Sequence, residues 1–374
     1  MRIKVFHNRN PKTGKPDFII LAIVFVLIVF GMVALGSASS NLGQKQFNDS
    51  SYYVKHQLTY GFGIGFLLFC AALVLPYHRY ERLAVPLLLV SLGLLLVVFT
   101  PLGFSSGGAL RWVRIGSLTI QPAEILKITF IIYLAAWFSK RKNRRSNLTQ
   151  GFIPFIIMIG IIATLLLKQP STSTVLILMS VALVMYFMSG APWRYLCVFG
   201  LVGAIGFAAI IYFAPYRLER LSTFLHPEAQ PLSSGYQLYQ ALLSIGSGGF
   251  SGVGYGKSIA KVYYLPEPIG DSIFAVIAEE FGFIGAMLLI LAFCALVLRI
   301  LFLARHCDDQ FGKLLLVGFG SLIGIQAFVN MGAISGAIPL TGTPLPFISY
   351  GGTALLVFMT IAGILANISR YARK

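Results

Sequence analysis

The chain has 374 residues, 57% of them hydrophobic and only 11% charged, with 38 glycines. A mean hydropathy of +0.82 excludes an ordinary soluble globular domain. The net charge of +17 would suit nucleic acid, but the lysines and arginines sit in short stretches between apolar runs, so a membrane topology accounts for them and no nucleic-acid partner is expected.

Apolar stretches of about 20 residues recur from end to end, each long enough to cross ~30 Å of hydrocarbon. They do not alternate as barrel strands do, so the backbone must be satisfied within helices. The sequence predicts an all-α polytopic membrane protein with ten transmembrane helices, at 18–36, 58–75, 83–99, 122–138, 152–167, 174–189, 195–213, 271–303, 314–334 and 347–368. The first run follows a basic tail and ends in Gly36-Ser37-Ala38-Ser39, as a secretory signal would. It is longer than a signal core and is followed by more membrane, so it reads as an uncleaved first span. The eighth run is too long for one straight perpendicular helix.

Most of the 29 lysines and arginines fall in 1–17, 76–82, 139–151, 190–194, 304–313 and 369–374, which places these segments and both termini in the cytoplasm. The chain therefore divides into a cytoplasmic tail, 1–17, one transmembrane domain, 18–368, and a short cytoplasmic tail, 369–374. Two extracytoplasmic loops are large, 100–121 and 214–270, the second joining helices 7 and 8. Cys70, Cys197 and Cys294 lie in apolar runs and Cys307 in an inner loop, so neither a disulfide nor a cysteine metal site is expected.

Polar residues out of keeping with this background concentrate on the outer side. Arg111 and Arg114 flank Trp112, an arrangement suited to anionic head groups, although Trp alone serves as an interfacial anchor. Glu124 and Lys127 are three residues apart at the start of the fourth span, where they either neutralise each other or line a polar cavity. Arg217 and Arg220 open the large outer loop and Lys257 and Lys261 close it. Outward cations are not explained by the positive-inside tendency, and guanidinium forks match phosphate oxygens, so a diphosphate ligand is one reading and solvated loop charge the other. The run "GSGGFSGVGYGKS" from Gly246 to Ser258 suits a folded, mobile lid or a plain connector.

Asp271 stands at the head of the eighth span, with Glu279 and Glu280 two turns further in, ~12 Å deeper if the run is helical. A carboxylate at membrane depth costs at least ~2.5 kcal/mol and is kept for a task or a partner. Glu280 points away from Asp271 on the wheel, while Glu279 lies roughly 80° round from it. Finally, Ser335–Thr353 packs prolines and glycines into the last outer loop, which reads as a cavity wall or a tight re-entry.

Four stretches, "RWVRIGSLTIQPAEILK", "GYQLYQALLSIGSGGFSGVGYGKS", "YLPEPIGDSIFAVIAEEFGFIG" and "IPLTGTPLPFISYGGTALL", occur in an order that resembles the SEDS family, the shape, elongation, division and sporulation proteins that include FtsW and RodA. "ALGSASS" and "LPEPIGDSIFAVIAEE" are more FtsW-like than RodA-like. The resemblance implies a bacterial inner-membrane peptidoglycan glycosyltransferase that polymerises lipid II onto a growing lipid-linked glycan strand. It also implies a class B penicillin-binding protein as transpeptidase partner and other divisome or elongasome proteins around it. The family's essential acid falls on Asp271, its fourth-span pair on Glu124 and Lys127, its arginine before Trp on Arg111, and its eighth-span glutamates on Glu279 and Glu280. Two departures stand out: Gln169 to Thr174 lacks the Asp and Gly usual there, and Gly270 and Ser272 flank Asp271 where Thr and Phe are usual.

These residues lead to the expectation of an inverting glycosyl transfer with Asp271 as general base. Arg111, Arg217, Arg220, Lys257 and Lys261 would meet a leaving diphosphate, with or without a divalent ion such as Mg2+ or Mn2+. Two other classes remain open on the residues alone: a lipid II flippase or other transporter, and a scaffold that only recruits the transpeptidase.

Overall fold

Residues 14–106, 109–116, 118–139, 147–212, 224 and 235–372 are described by the structure, a computed structural model. The first helix, α1 (Phe18–Phe47), is built from both ends inward. Asp17 caps it by accepting from the Ile19 and Ile20 amides at 3.1 Å each, and Asn48, in the left-handed region at φ 53, closes it. At 1.5 Å per residue it outruns the hydrocarbon, and its last turns project beyond the expected end at residue 36.

There follow α2 (Tyr52–Val74), which contains a π turn over Gln57–Gly63, and α3 (His78–Val97). The first outer loop then forms a small antiparallel sheet of β1 (Gly103–Ser106), β2 (Ala109–Ile115) and β3 (Leu118–Ile120), a minor addition to a predominantly helical chain. Beyond it lie α4 (Pro122–Ser139), α5 (Leu148–Lys168), α6 (Thr172–Met188) and α7 (Trp193–Tyr212). The second outer loop carries α8 (Tyr236–Ser247) and the single turn α9 (Ala260–Tyr263). Three long helices finish the chain: α10 (Ile273–Arg305), α11 (Gln310–Ile334) and α12 (Gly352–Ser369).

Among the described residues eight helices are long and apolar enough to cross a membrane: α1 to α5 and α10 to α12. The shorter apolar helices α6 and α7 occupy the expected sixth and seventh positions. The tenth predicted run differs at its start, since residues 347–351 are irregular and α12 begins only at Gly352. In the bundle α4, α11 and α12 are mostly covered by protein, while α2, α3 and α10 turn much of their apolar surface outward. α12 packs along α2, α11 lies between α10 and α6, and α3 packs on α4.

The excess length of α10 is resolved by a break. Gly282 has φ 66 and ψ −164, a region essentially confined to glycine. The break frees the carbonyls of Glu279 and Glu280 and the amides of Phe283 and Ile284, and each such group left bare in hydrocarbon would cost several kcal/mol. The glycine-rich loop supplies all four partners. Val253 donates to the Glu279 carbonyl at 3.0 Å and Gly254 to that of Glu280 at 3.1 Å, while Phe283 and Ile284 donate to the carbonyls of Gly249 and Phe250 at 2.9 and 3.2 Å. The loop is thus a bonded plug in a helix, neither the mobile lid nor the plain connector that its composition suggests.

At the other end of α1, Asp17 receives the Arg299 guanidinium of α10 at 2.6 Å and donates its own amide to Ser369 Oγ at 2.8 Å, tying three helices together. Burial alone would raise the Asp17 carboxyl, but the bonds from Arg299 and the α1 amides hold it below its ordinary value. The stabilisation is therefore present above about pH 3.8 and fades as the pH falls through the lower folded value.

Two outcomes follow. Gly282→Ala will destabilise the purified protein by at least ~1–3 kcal/mol from backbone strain, since its Cβ would also lie 2.3 Å from the Gly252 nitrogen; thermal melting in detergent measures it. Asp17→Asn will lower the melting temperature at pH 7 and shrink the acid-side fall below about pH 3.8, read from melts taken down through that pH.

Candidate active site

A cavity of about 640 Å³ lies among α2, strands β2 and β3, the segment before α10 and the segment before α12. It gathers Arg111 and Trp112 from β2, Glu267 and Asp271 from the approach to α10, His56 from α2 and Tyr350 from the approach to α12. Side chains distant in sequence meet here because strand, irregular backbone and the first turns of α2 converge at this end of the bundle.

Asp271 precedes Ser272, the N-cap residue of α10, and its main chain is fixed from two sides. Asn330 of α11 is buried and its amide donates both to the Asp271 carbonyl at 2.9 Å and to the Thr343 carbonyl at 2.7 Å. Ser349 Oγ donates to the Gly270 carbonyl at 2.8 Å, and the Tyr350 amide donates to the Ile269 carbonyl at 2.8 Å. Thus the irregular approach to α12 is stitched to the residues around Asp271. Gly342, with φ +63, lies against the carboxylate itself: a Cβ there would sit 3.3 Å from Asp271 Oδ2.

Arg111 is also positioned by backbone. Its Nε donates to the Gln169 carbonyl at 3.1 Å and its terminal nitrogen to the Pro170 carbonyl. These two carbonyls orient the guanidinium and set Arg111 in the cavity wall. Those carbonyls belong to the Gln169–Thr174 stretch, where the sequence lacks an Asp usual in its family.

Glu124 and Lys127 lie behind the wall. Both are buried, with Lys127 Nζ 2.6 Å from Glu124 and 2.8 Å from Gln326 Oε1, and the Gln326 amide donates to the Pro344 carbonyl at 2.8 Å. Of the two readings open in the sequence, mutual neutralisation describes their contacts, and through Gln326 the pair braces a cavity residue.

The other predicted charges are elsewhere. Glu279 accepts from Ser244 Oγ at 3.0 Å, Ser258 Oγ at 2.6 Å and the Ile259 amide at 3.1 Å. Glu280 pairs with buried Lys261 at 2.5 Å, and both reach Ser37 of α1. Lys261, expected to meet substrate, is therefore spent on an internal ion pair, because an isolated glutamate at that depth would be far more costly. Lys257 is exposed and is not part of the cavity lining. Arg217 and Arg220 lie outside the described residues.

Sequence reasoning passed over Glu267, His56, Tyr350 and Asn330. Glu267 sits inside the "LPEPIG" stretch and takes φ 48, a strained value for a side-chain-bearing residue. Asn330 is an amide in the middle of an apolar run, which was visible but carries no charge to draw attention. No group of three or more His, Cys, Asp or Glu able to hold a metal occurs among the described residues.

A bundle of apolar helices with a cavity at one end, lined by helix, strand and irregular backbone and bordered by two carboxylates and an arginine, defines a multi-pass membrane protein with an enzyme-like site. Comparison with known proteins specifies the class. The model of the FtsW, RodA and SpoVE family, described as cell cycle proteins, matches residues 18–374. A probable peptidoglycan glycosyltransferase FtsW of Geobacter sp. (strain M18) is 37% identical, with 96% of this chain and 97% of that protein aligned. Stage V sporulation protein E of Bacillus subtilis (strain 168) is 35% identical over 97% of this chain and 99% of its own.

Among solved structures, a chain from a study of how a peptidoglycan synthase complex coordinates polymerization and crosslinking superposes with a TM-score of 0.80 at 28% identity, covering 95% of this chain and 98% of that one. Rod shape determining protein RodA of Thermus thermophilus gives 0.70 at 28% identity, covering 96% and 98%. The chain belongs to the FtsW, RodA and SpoVE family, and it is a glycosyltransferase.

Gly342→Ala is expected to strain the backbone by ~1–2 kcal/mol and push on the Asp271 carboxylate. The expected readout is a loss of glycan-forming turnover of at least about tenfold, larger than the small drop in melting temperature would cause.

Proposed function

We propose that this peptidoglycan glycosyltransferase polymerises lipid II into glycan strands at the outer face of the bacterial cytoplasmic membrane, with Asp271 as general base. The observation that carries the reading is the cavity itself, which brings the Asp271 carboxylate and the Arg111 guanidinium into one space of about 640 Å³. The 4-hydroxyl of the lipid II GlcNAc attacks the anomeric carbon of the MurNAc at the lipid-linked end of the strand. A new C–O bond forms as the bond to the diphosphate oxygen breaks, with inversion at that carbon. The hydroxyl proton passes to the Asp271 carboxylate, and undecaprenyl diphosphate departs with the bonding pair.

Arg111 faces the leaving diphosphate and stabilises its developing charge. Arg217 and Arg220 remain candidates for the same task. A divalent cation, Mg2+ or Mn2+, finds no three-ligand group among the described side chains and would rest mainly on diphosphate oxygens, so no step is routed through it. The charge distribution supports both termini in the cytoplasm, and α6 and α7 complete ten spans with the eight longer helices. Relatives named FtsW favour septal synthesis during division, with a class B penicillin-binding protein as the crosslinking partner; the solved synthase complex supports the pairing.

The test uses the purified protein and labelled lipid II in detergent, which leaves no leaflets between which a flippase could work. Wild-type protein, with its partner where required, makes strands. Asp271→Asn keeps the melting temperature and cuts the rate by about 10²–10⁴-fold, the usual scale of general-base removal. Full polymerisation by that variant removes Asp271 from the chemistry.

A further inference from the structure

The cavity has an aromatic wall that the transfer chemistry does not use. Tyr53, His56 and Tyr60 lie three and four residues apart on α2, hence on one helix face, and all three line the cavity together with Tyr350. The rings form a connected cluster. Tyr53 meets Tyr350 edge-on with centroids 5.1 Å apart, His56 and Tyr60 are 4.7 Å apart, and His56 and Tyr350 are 5.9 Å apart.

Hydrogen bonds fix the rings before any ligand arrives. Tyr350 Oη lies 3.0 Å from His56 Nδ1, and Tyr53 Oη donates to Gln46 Oε1 at 2.6 Å. The Gly351 amide donates to Gln57 Oε1 at 3.2 Å, joining the approach to α12 to the first residue of the π turn. π turns inside α-helices recur at functional sites because they re-aim the side chains beside them. Through the Tyr350 amide the cluster is tied to Ile269, two residues before Asp271.

Aromatic residues near a membrane surface ordinarily form a belt facing lipid head groups. These rings face a cavity that also holds two carboxylates and an arginine. A pyranose ring offers a face of C–H bonds that packs on the electron-rich face of an aromatic ring, with hydroxyls left for polar neighbours. We propose that Tyr53, His56, Tyr60 and Tyr350 form a platform that seats one N-acetylated pyranose ring of the substrate beside Asp271, held in shape by the His56–Tyr350 hydrogen bond. The proposal rests on the assignment of this cavity to lipid-linked saccharides.

The experiment measures lipid II polymerisation kinetics in detergent, with binding of a soluble GlcNAc oligosaccharide and of undecaprenyl phosphate followed separately. Tyr60 is 39% exposed, so Tyr60→Leu leaves the fold intact, as a matched melting curve will verify. Tyr60→Leu and His56→Gln raise KM for lipid II about tenfold with a much smaller change in kcat, the size of one lost aromatic contact. Both weaken the oligosaccharide and spare the prenyl phosphate, and Tyr60→Phe, which restores the ring, recovers most of the affinity.

Unchanged KM and oligosaccharide binding in Tyr60→Leu overturns the platform. Weakened prenyl phosphate binding with intact oligosaccharide binding also overturns it, by assigning the wall to the lipid tail. Asp271→Asn separates the two ideas. Oligosaccharide binding that survives in Asp271→Asn supports the platform whatever that variant does to turnover, whereas full turnover by Asp271→Asn defeats only the assignment of the base.

Discussion

Main-chain amides and carbonyls at membrane depth must be paired, and this chain satisfies that constraint in two places where it abandons the helix. At Gly282 the partners come from the main chain of the glycine-rich loop. Ahead of α12 they come from side chains: Asn330 to the Thr343 carbonyl, Gln326 to the Pro344 carbonyl, and Ser349 Oγ accepting from the Leu345 amide. Each of these polar side chains has a second attachment. Asn330 and Ser349 also hold the carbonyls of Asp271 and Gly270, and Gln326 also accepts from Lys127. The bonds that make irregular backbone tolerable in the membrane are therefore the bonds that immobilise Asp271.

The same constraint separates the acidic residues into two groups. The outer half of α10 ends at a break whose carbonyls belong to Glu279 and Glu280, and the side chains of those residues bond the loop that fills it. Removing Lys261 alone would leave Glu280 as an uncompensated buried charge, a change that typically costs 3–5 kcal/mol, so the pair works as a clasp between α1, α9 and α10. Asp271, by contrast, has its main chain held by Asn330, and both Asp271 and Glu267 border the cavity. Carboxylates of similar appearance in the sequence thus divide into structure and site according to which element closes over them.

The apolar helices and the carboxylate of Asp271 at the head of one of them could be read from the sequence because hydropathy and charge are local properties. The small sheet could not, since "GALRWVRIGSLTI" is short and its pairing depends on contacts made only after folding. Lys261 was misplaced because a lysine in an outer loop looks solvated until α9 turns it under the loop toward Glu280. Asn330 and Gly342 escaped for a related reason: an amide or a glycine reveals its role only through what the fold packs against it. The family resemblance reached Asp271 and Arg111, but nothing along the chain could tell that Arg111 is oriented by the carbonyls of Gln169 and Pro170.

A polymerising enzyme has an unusual requirement: the base must stay still while the strand moves past it. Directional hydrogen bonds to every sugar hydroxyl would hold each intermediate in a deep well and slow the advance by one disaccharide. Ring faces impose less angular demand, because stacking falls off gradually with sliding while a hydrogen bond weakens steeply off its axis. An aromatic wall at Tyr53, His56, Tyr60 and Tyr350, set against an Asp271 whose main chain Asn330 holds and whose neighbour Gly270 is held by Ser349, meets both demands at once. The Tyr350 amide bond to Ile269 keeps the two parts in register, so a ring that slides along the wall still arrives at the same distance from Asp271.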